Sequence, residues 1–338
     1  MRIKKIFLSL VFLSFACVIL GQDLNQTNMR YSPLYMNPAL TGSFYGTLRL
    51  GGTYRDQGRQ LMGEGYKTFN VFVDAPISIS IRKNDWIGIG IQAYNDKAGS
   101  ALLVTQGVIL NGGYHLSFDN KHKNVLSVGV QYGLLQKRID GDRIVLGSDH
   151  VDPGVTLTDR VALSAYKASF KDINIGISFE SKLSKASRFI IGVAAYHVTK
   201  PEYKGISYNN YLDRRITLHT RLHLGITKRF MVEPQIIASF SKNALNIMPQ
   251  FKSFFKLSKN KRKDDMIYFG LGYRLNDAMQ VLMGLRYKKF DIGMAYDITT
   301  SSAAQYNNHK GGIEFGLFKI IEIHKKRTVP PVLICPEL

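Results

Sequence analysis

From Met266 to Thr300 apolar residues fall at every second position. Ile267, Phe269, Leu271, Tyr273 and Leu275 alternate with Gly270, Gly272, Arg274 and Asn276. Val281, Met283, Leu285 and Tyr287 alternate with Gly284 and Arg286, and Ile292, Met294, Tyr296 and Ile298 with Asp291, Gly293, Ala295 and Asp297. A period of two over such lengths specifies strands with one apolar and one polar face. The breaks at Asn276-Asp277 and Lys288-Lys289 leave room only for tight turns, so the three strands are antiparallel neighbours.

The same alternation runs from Gly46 to about Ile323. Besides those three strands it marks 47–55, 66–74, 86–94, 102–116, 125–136, 168–180, 188–198, 216–226, 230–240, 245–256 and 311–323, fourteen segments in all. No stretch carries the 3.6-residue period of a helix of three or more turns, so the fold class is all-β. The polar face holds full charges in mid-strand at Arg221, Arg274, Arg286, Asp297 and Glu314, whereas the central apolar positions hold none. Tyr273, Tyr287 and Phe315 recur toward strand ends, where an aromatic girdle would lie. Connections after even-numbered strands are short (181–187, 226–229, 288–289), and two after odd-numbered strands are long (138–167 and 199–215). A soluble sandwich would explain the alternation alone. The combination specifies a transmembrane antiparallel β-barrel of about 14 strands, its charges lining the lumen, its short turns and both ends of the barrel on the periplasmic side.

The first residues, Met1-Arg2-Ile3-Lys4-Lys5 followed by an apolar run to Leu20, read as a secretory signal peptide, 1–21, cleaved after Gly21. The remaining divisions are a turn-rich or extended periplasmic arm, 22–45, the barrel, 46–323, and a periplasmic tail, 324–338. No second apolar run approaches the ~18 residues of a membrane helix, so any crossing is by strands. Cleavage leaves Cys335 as the one thiol, which rules out an intramolecular disulfide. A formal charge of +20 points to nucleic acid, anionic lipid or an acidic partner, and export sets nucleic acid aside. The cations concentrate at the short-turn rim (Arg82, Lys83, Lys121, Lys123, Lys182, Lys185, Lys228, Arg229, Lys256, Lys259), which reads either as solvated turns that protect against aggregation or as a docking surface for something acidic in the periplasm. In the tail, Pro330-Pro331 enforces an extended backbone, and Val332-Leu333-Ile334 suits either adding a strand to a partner sheet or folding back on the barrel floor.

Candidate chemistry is sparse. His219, Arg221 and His223 share one strand face, but residues i and i+4 of a strand are ~13 Å apart, so the two histidines cannot hold one metal and read as lumen lining. His197 has no matching ligand nearby in sequence. Gly88-Ile89-Gly90-Ile91-Gln92-Ala93 nominally fits a dinucleotide pattern but sits inside a strand with no helix after it. Asp140, Asp142 and Asp149 suit either a cation or simple turn formation. With no catalytic constellation, no enzyme activity, cofactor or metal is expected.

The arm Ser32-Pro33-Leu34-Tyr35-Met36-Asn37-Pro38-Ala39-Leu40-Thr41-Gly42 resembles the N-terminal signature of the PorP/SprF proteins of the Bacteroidetes type IX secretion system. So do Tyr54-Arg55-Asp56-Gln57, the His197-Val198-Thr199-Lys200-Pro201 segment, Tyr296-Asp297-Ile298-Thr299, Gly311-Gly312-Ile313-Glu314 and the terminal Cys335-Pro336. The resemblance implies an integral outer-membrane component that supports export or surface attachment of a large, gliding-type adhesin with a C-terminal sorting domain. It also implies periplasmic and outer-membrane partners from the type IX machinery. On that reading Asn37, Pro38, Tyr54, Arg55, Pro330, Pro331, Cys335 and Pro336 are the candidate partner-binding residues. The alternative is a passive porin or small-solute channel whose charged lumen sets selectivity.

Overall fold

The computed structural model describes residues 26–59, 65–77, 82, 84–99, 103–139, 166–204, 209–242, 244–257 and 265–323. Its strands are β1 (Leu48–Gln57), β2 (Tyr66–Ile77), β3 (Trp86–Ala98), β4 (Leu103–Ser117), β5 (Asn124–Ile139), β6 (Lys167–Lys182), β7 (Arg188–Tyr196), β8 (Glu202–Lys204), β9 (Asn209–Tyr211), β10 (Arg215–Gly225), β11 (Phe230–Ser241), β12 (Ala244–Lys256), β13 (Met266–Arg274), β14 (Ala278–Tyr287), β15 (Phe290–Thr299) and β16 (Lys310–Ile321). All but β8 and β9 pair with their chain neighbours into one closed, fourteen-stranded antiparallel barrel. The seam joins the first strand to the last, from Leu48 opposite Ile321 to Gln57 opposite Gly312. The hairpin β8–β9 lies in the connection between β7 and β10; at three residues each, its strands are too short to show a period in the sequence.

Alternation sets the two faces. Leu110, Leu134 and Leu271, at 57%, 57% and 63% exposure, stand with Phe69, Val71, Ile89, Val130, Ile175, Ile177 and Phe315 on the outer wall. A water-soluble protein would bury such a band; on a closed barrel it faces lipid. Toward the long-loop end this wall also carries Lys171, on the same face of β6 as Ile173, Ile175 and Ile177.

Turn chemistry is local. Lys288 and Lys289 both adopt left-handed φ angles, 49° and 70°, the handedness that matches strand twist in a two-residue hairpin. In the β4–β5 turn, Asp119 accepts from the backbone N–H groups of Lys121, Lys123 and Asn124 at 2.8–3.0 Å. The bond from Lys123 leads in holding this exposed carboxyl below the ordinary carboxylate range. The ordering it gives the turn is therefore present above the unfolded carboxyl pKa and lost as pH falls through the lower folded value. An NMR titration of the Asp119 carboxyl carbon should show a midpoint below that of a free aspartyl peptide; an equal midpoint would refute this.

Leu48 lies opposite Ile321, so β1 begins and β16 ends at the short-turn rim. The arm departs from expectation in place, while its shape is the turn-rich one of the two expected. It occupies the lumen rather than the periplasmic side, and it is built of tight helical turns rather than extended chain. A 3₁₀ turn (Met29–Tyr31), a one-turn helix α1 (Pro33–Met36) and a second 3₁₀ turn (Pro38–Leu40) follow one another. Pro33 and Pro38 each open a helical turn, where a missing N–H costs nothing, and the Asn37 side chain caps the last turn through Ala39 N. The signal segment, Lys83, Lys259, Asp140, Asp142, Asp149 and the tail with Pro330, Pro331, Cys335 and Pro336 lie outside the described residues.

Candidate functional site

The arm crosses the lumen from the long-loop end at Gln26 to the short-turn end at Gly42, held at four stations. At the first, the Arg55 guanidinium meets Asp297 at 2.6 Å and Glu314 at 3.2 Å, with Arg274 on Asp297 at 3.2 Å. These charges close around Thr27: Arg55 and Arg274 donate to its hydroxyl at 2.6 and 2.9 Å, and the hydroxyl donates to Asp297 at 2.9 Å. Glu314 accepts from the backbone N–H of Thr27 (2.7 Å) and Asn28 (2.8 Å). The side chains of Arg55, Asp297 and Glu314 are 3%, 1% and 1% exposed, so each charge depends on the others for solvation.

At the second station Asp291 accepts from Arg30 (2.7 Å), Arg286 (2.8 Å) and the Tyr31 hydroxyl (2.7 Å). Tyr31 is fully buried with Leu34, Phe254, Tyr268, Leu282 and Phe318, and Arg30 lies over the Phe254 ring at 5.5 Å. Burying side chains of this size stabilises the arm by about 1.5–3 kcal/mol each. At the third, Asn37 donates to the carbonyls of Ile177 and Val193 at 3.1 and 3.3 Å and lies 3.1 Å from His219 Nε2. At the fourth, Gly42 N donates to Asp74 (2.7 Å), which also pairs with Arg49 (2.7 Å). Trp86 Nε1 donates to Gly42 O (3.0 Å), and Thr41 O, which can only accept, fixes the His115 proton on Nε2 at 2.7 Å.

Glycines on the inner wall make this course passable. A β-carbon at Gly293 or Gly316 would enter the Tyr31 ring, one at Gly176 the Asn37 amide, one at Gly129 the Pro38 backbone, and one at Gly88 the Thr41 carbonyl. Gly42 itself has φ +71° with its Cα pressed on Gly88, a conformation and an approach that favour glycine. Beside Met29, Met36 and Met248 a cavity of only about 30 Å³ remains, room for about one water. Toward the long-loop end the β8–β9 connection folds inward: the Tyr203 ring lies tilted against Phe170 at 5.4 Å, Lys137 sits 4.3 Å over the Tyr203 ring, and Leu212 packs with Ile109 and Leu135.

Arg221, Arg274, Arg286, Asp297 and Glu314 all lie on the inner face. Arg221 stands 4.0 Å from Glu233, and His223 3.2 Å from the same carboxylate. Asn37, Pro38 and Arg55, expected to meet a partner, are buried against the chain itself and hold the arm in place. Tyr54 faces outward at 39% exposure, and His197 pairs with Asp172 at 2.9 Å. Sequence reasoning missed the roles of Thr27, Tyr31, Asp74, Trp86 and His115; the one signal available was the recurrence of glycine on the polar face of successive strands.

These features define a transmembrane β-barrel whose lumen is occupied by its own amino-terminal segment. The family model for the type IX secretion system membrane protein PorP/SprF matches residues 19–313, and the chain belongs to that family. It is thus a membrane component of type IX secretion, and its barrel is of the outer-membrane kind. No protein of curated function matches it significantly. Among solved structures it is similar to the CymD monoaromatic hydrocarbon channel (10% identity, TM-score 0.51, 90% of this chain and 97% of that one). It is also similar to the toluene transporter TbuX of Ralstonia pickettii (11% identity, TM-score 0.51, 86% and 94%). At such identities the likeness is one of fold.

Proposed function

We propose that this protein is a non-enzymatic accessory of type IX secretion that works at its two rims rather than through its lumen. It would support export or surface attachment of a large adhesin-type substrate. The observation that carries this reading is the arm: residues 26–42 lie across the lumen and engage inward-facing side chains around the barrel, from Glu314 and Asp291 to Asp74. The short-turn rim and the tail then face the periplasmic machinery, and the longer connections face the substrate outside. The described cations of the short-turn rim fit an acidic periplasmic face, because the acids beside them are already engaged: Asp119 by backbone N–H groups and Glu322 by Lys289 at 2.9 Å.

Deleting residues 330–338 should reduce co-purification of periplasmic type IX components while leaving a heat-modifiable, folded barrel. Unchanged co-purification would remove the tail from this role. Comparing the secretome of a deletion strain with its parent tests the function as a whole, the expected result being selective loss of one large surface protein.

A further inference from the structure

On the outer wall, toward the long-loop end of β3 to β6, the apolar band gives way to cations. Lys97, Arg138 and Lys167 lie on one line across the strands, through the pairs Lys97–Val104, Val104–Arg138 and Arg138–Lys167. Lys171 lies further down β6, opposite the outward Leu134. All four share the parity of lipid-facing neighbours: Ile89 and Ile91 for Lys97, Tyr132 and Leu134 for Arg138, Ile175 and Ile177 for Lys167 and Lys171. None of the four has an ion-pair partner among the described residues. Between them runs a polar ribbon in which Gln106 Nε2 donates to Gln136 Oε1 (3.1 Å) and Gln136 Nε2 to Ser169 Oγ (3.2 Å). A surface depression of about 370 Å³ is bounded by Leu134, Gln136, Ser169, Phe170 and Lys171.

Cations on a lipid-facing wall are unfavourable in hydrocarbon and tolerable at head-group depth, where an anion can meet them. Below the patch, Val108, Leu110, Val130 and Ile175 form a surface for acyl chains. Phosphate over the lysines, hydroxyl groups on the glutamine ribbon and acyl chains on the band describe one kind of molecule. We propose that this sector of β3–β6 binds the phosphorylated, acylated glycolipid of the outer leaflet, the lipid A portion of lipopolysaccharide.

The full chain, purified from outer membranes in non-ionic detergent, would be titrated with lipid A and followed by native mass spectrometry. Combining Lys97→Gln, Arg138→Gln, Lys167→Gln and Lys171→Gln should weaken lipid A binding at least about a hundredfold, since each interfacial cation contributes about 1 kcal/mol. Lys171→Gln alone should give a roughly fivefold loss on the same scale, and it serves if the combined variant does not show a heat-modifiable barrel. A control changing Lys288, Lys289 and Lys319 to Gln at the opposite rim should bind normally. Dephosphorylated lipid A should bind weakly to every form, and phosphatidylglycerol should not compete. Unchanged affinity in the patch variants, equal loss in the control, or equal binding of the dephosphorylated lipid or phosphatidylglycerol would overturn the assignment.

Discussion

Planar bilayers carrying the intact chain should stay near baseline conductance, and deletion of residues 26–41 should open a steady ion-conducting pore. The arm occupies the lumen through backbone and side-chain bonds to strands on every side, from Glu314 on β16 to Asp74 on β2 and Val193 on β7. Without it, Arg55, Arg274, Arg286, Asp291, Asp297 and Glu314 would line a polar channel and take up water. The strand pairing around the circumference does not involve the arm, so the shortened chain should keep the heat-dependent gel mobility of a folded barrel. A folded, intact chain conducting as well as the shortened one would instead favour a passive solute channel, and the platform reading would fail.

Arg55→Met should destabilise the protein by about 3–5 kcal/mol, the usual consequence of stranding one side of a buried ion pair. It leaves Asp297 with Arg274 and the Thr27 hydroxyl, and it leaves Glu314 with the two backbone donors of Thr27 and Asn28 but without its Arg55 cation. Adding Glu314→Gln removes the stranded charge, keeps an oxygen for a backbone donor, and should restore at least about 1 kcal/mol through coupling between the sites. Denaturation in detergent can be followed by the fluorescence of Trp86, the chain's single tryptophan, which donates to Gly42 and so senses release of the arm. A near-neutral Arg55→Met, or a double variant no better than the single, would show that the cluster does not hold the arm.

The strands were legible because alternation is a local property. Ile267 to Leu275 states its faces without reference to any other part of the chain, and so do Leu126 to Gly133 and Ile173 to Glu180. The direction of the apolar face followed from charge placement and loop lengths. The arm was not legible, because its stability is almost wholly long-range: Thr27 meets Glu314, Tyr31 meets Asp291, and Asn37 meets Val193. Nothing within 22–45 encodes those meetings, and prolines that suggest an extended segment equally begin helical turns. Gly129, Gly176, Gly293 and Gly316 alternate with apolar residues and read as filler on a solvated wall, whereas they are the floor on which the arm rests. Lys171 is one cation on an apolar face when β6 is taken alone; its company becomes apparent only when β3, β5 and β6 are laid side by side.

Arg55 and Glu314 are more than lumen charges, for they stand directly opposite each other on β1 and β16. The inward carboxylate of the closing strand is therefore neutralised by the first strand, and seating of the leading segment adds the hydrogen bonds of Thr27 and Asn28. A sheet closed around an empty interior would leave Glu314 and Asp297 to Arg55, Arg274 and lumen water, without Thr27 between them. The junction that closes the cylinder and the bonds that seat its leading segment thus meet at one carboxylate, so losing the segment should weaken the seam without opening it.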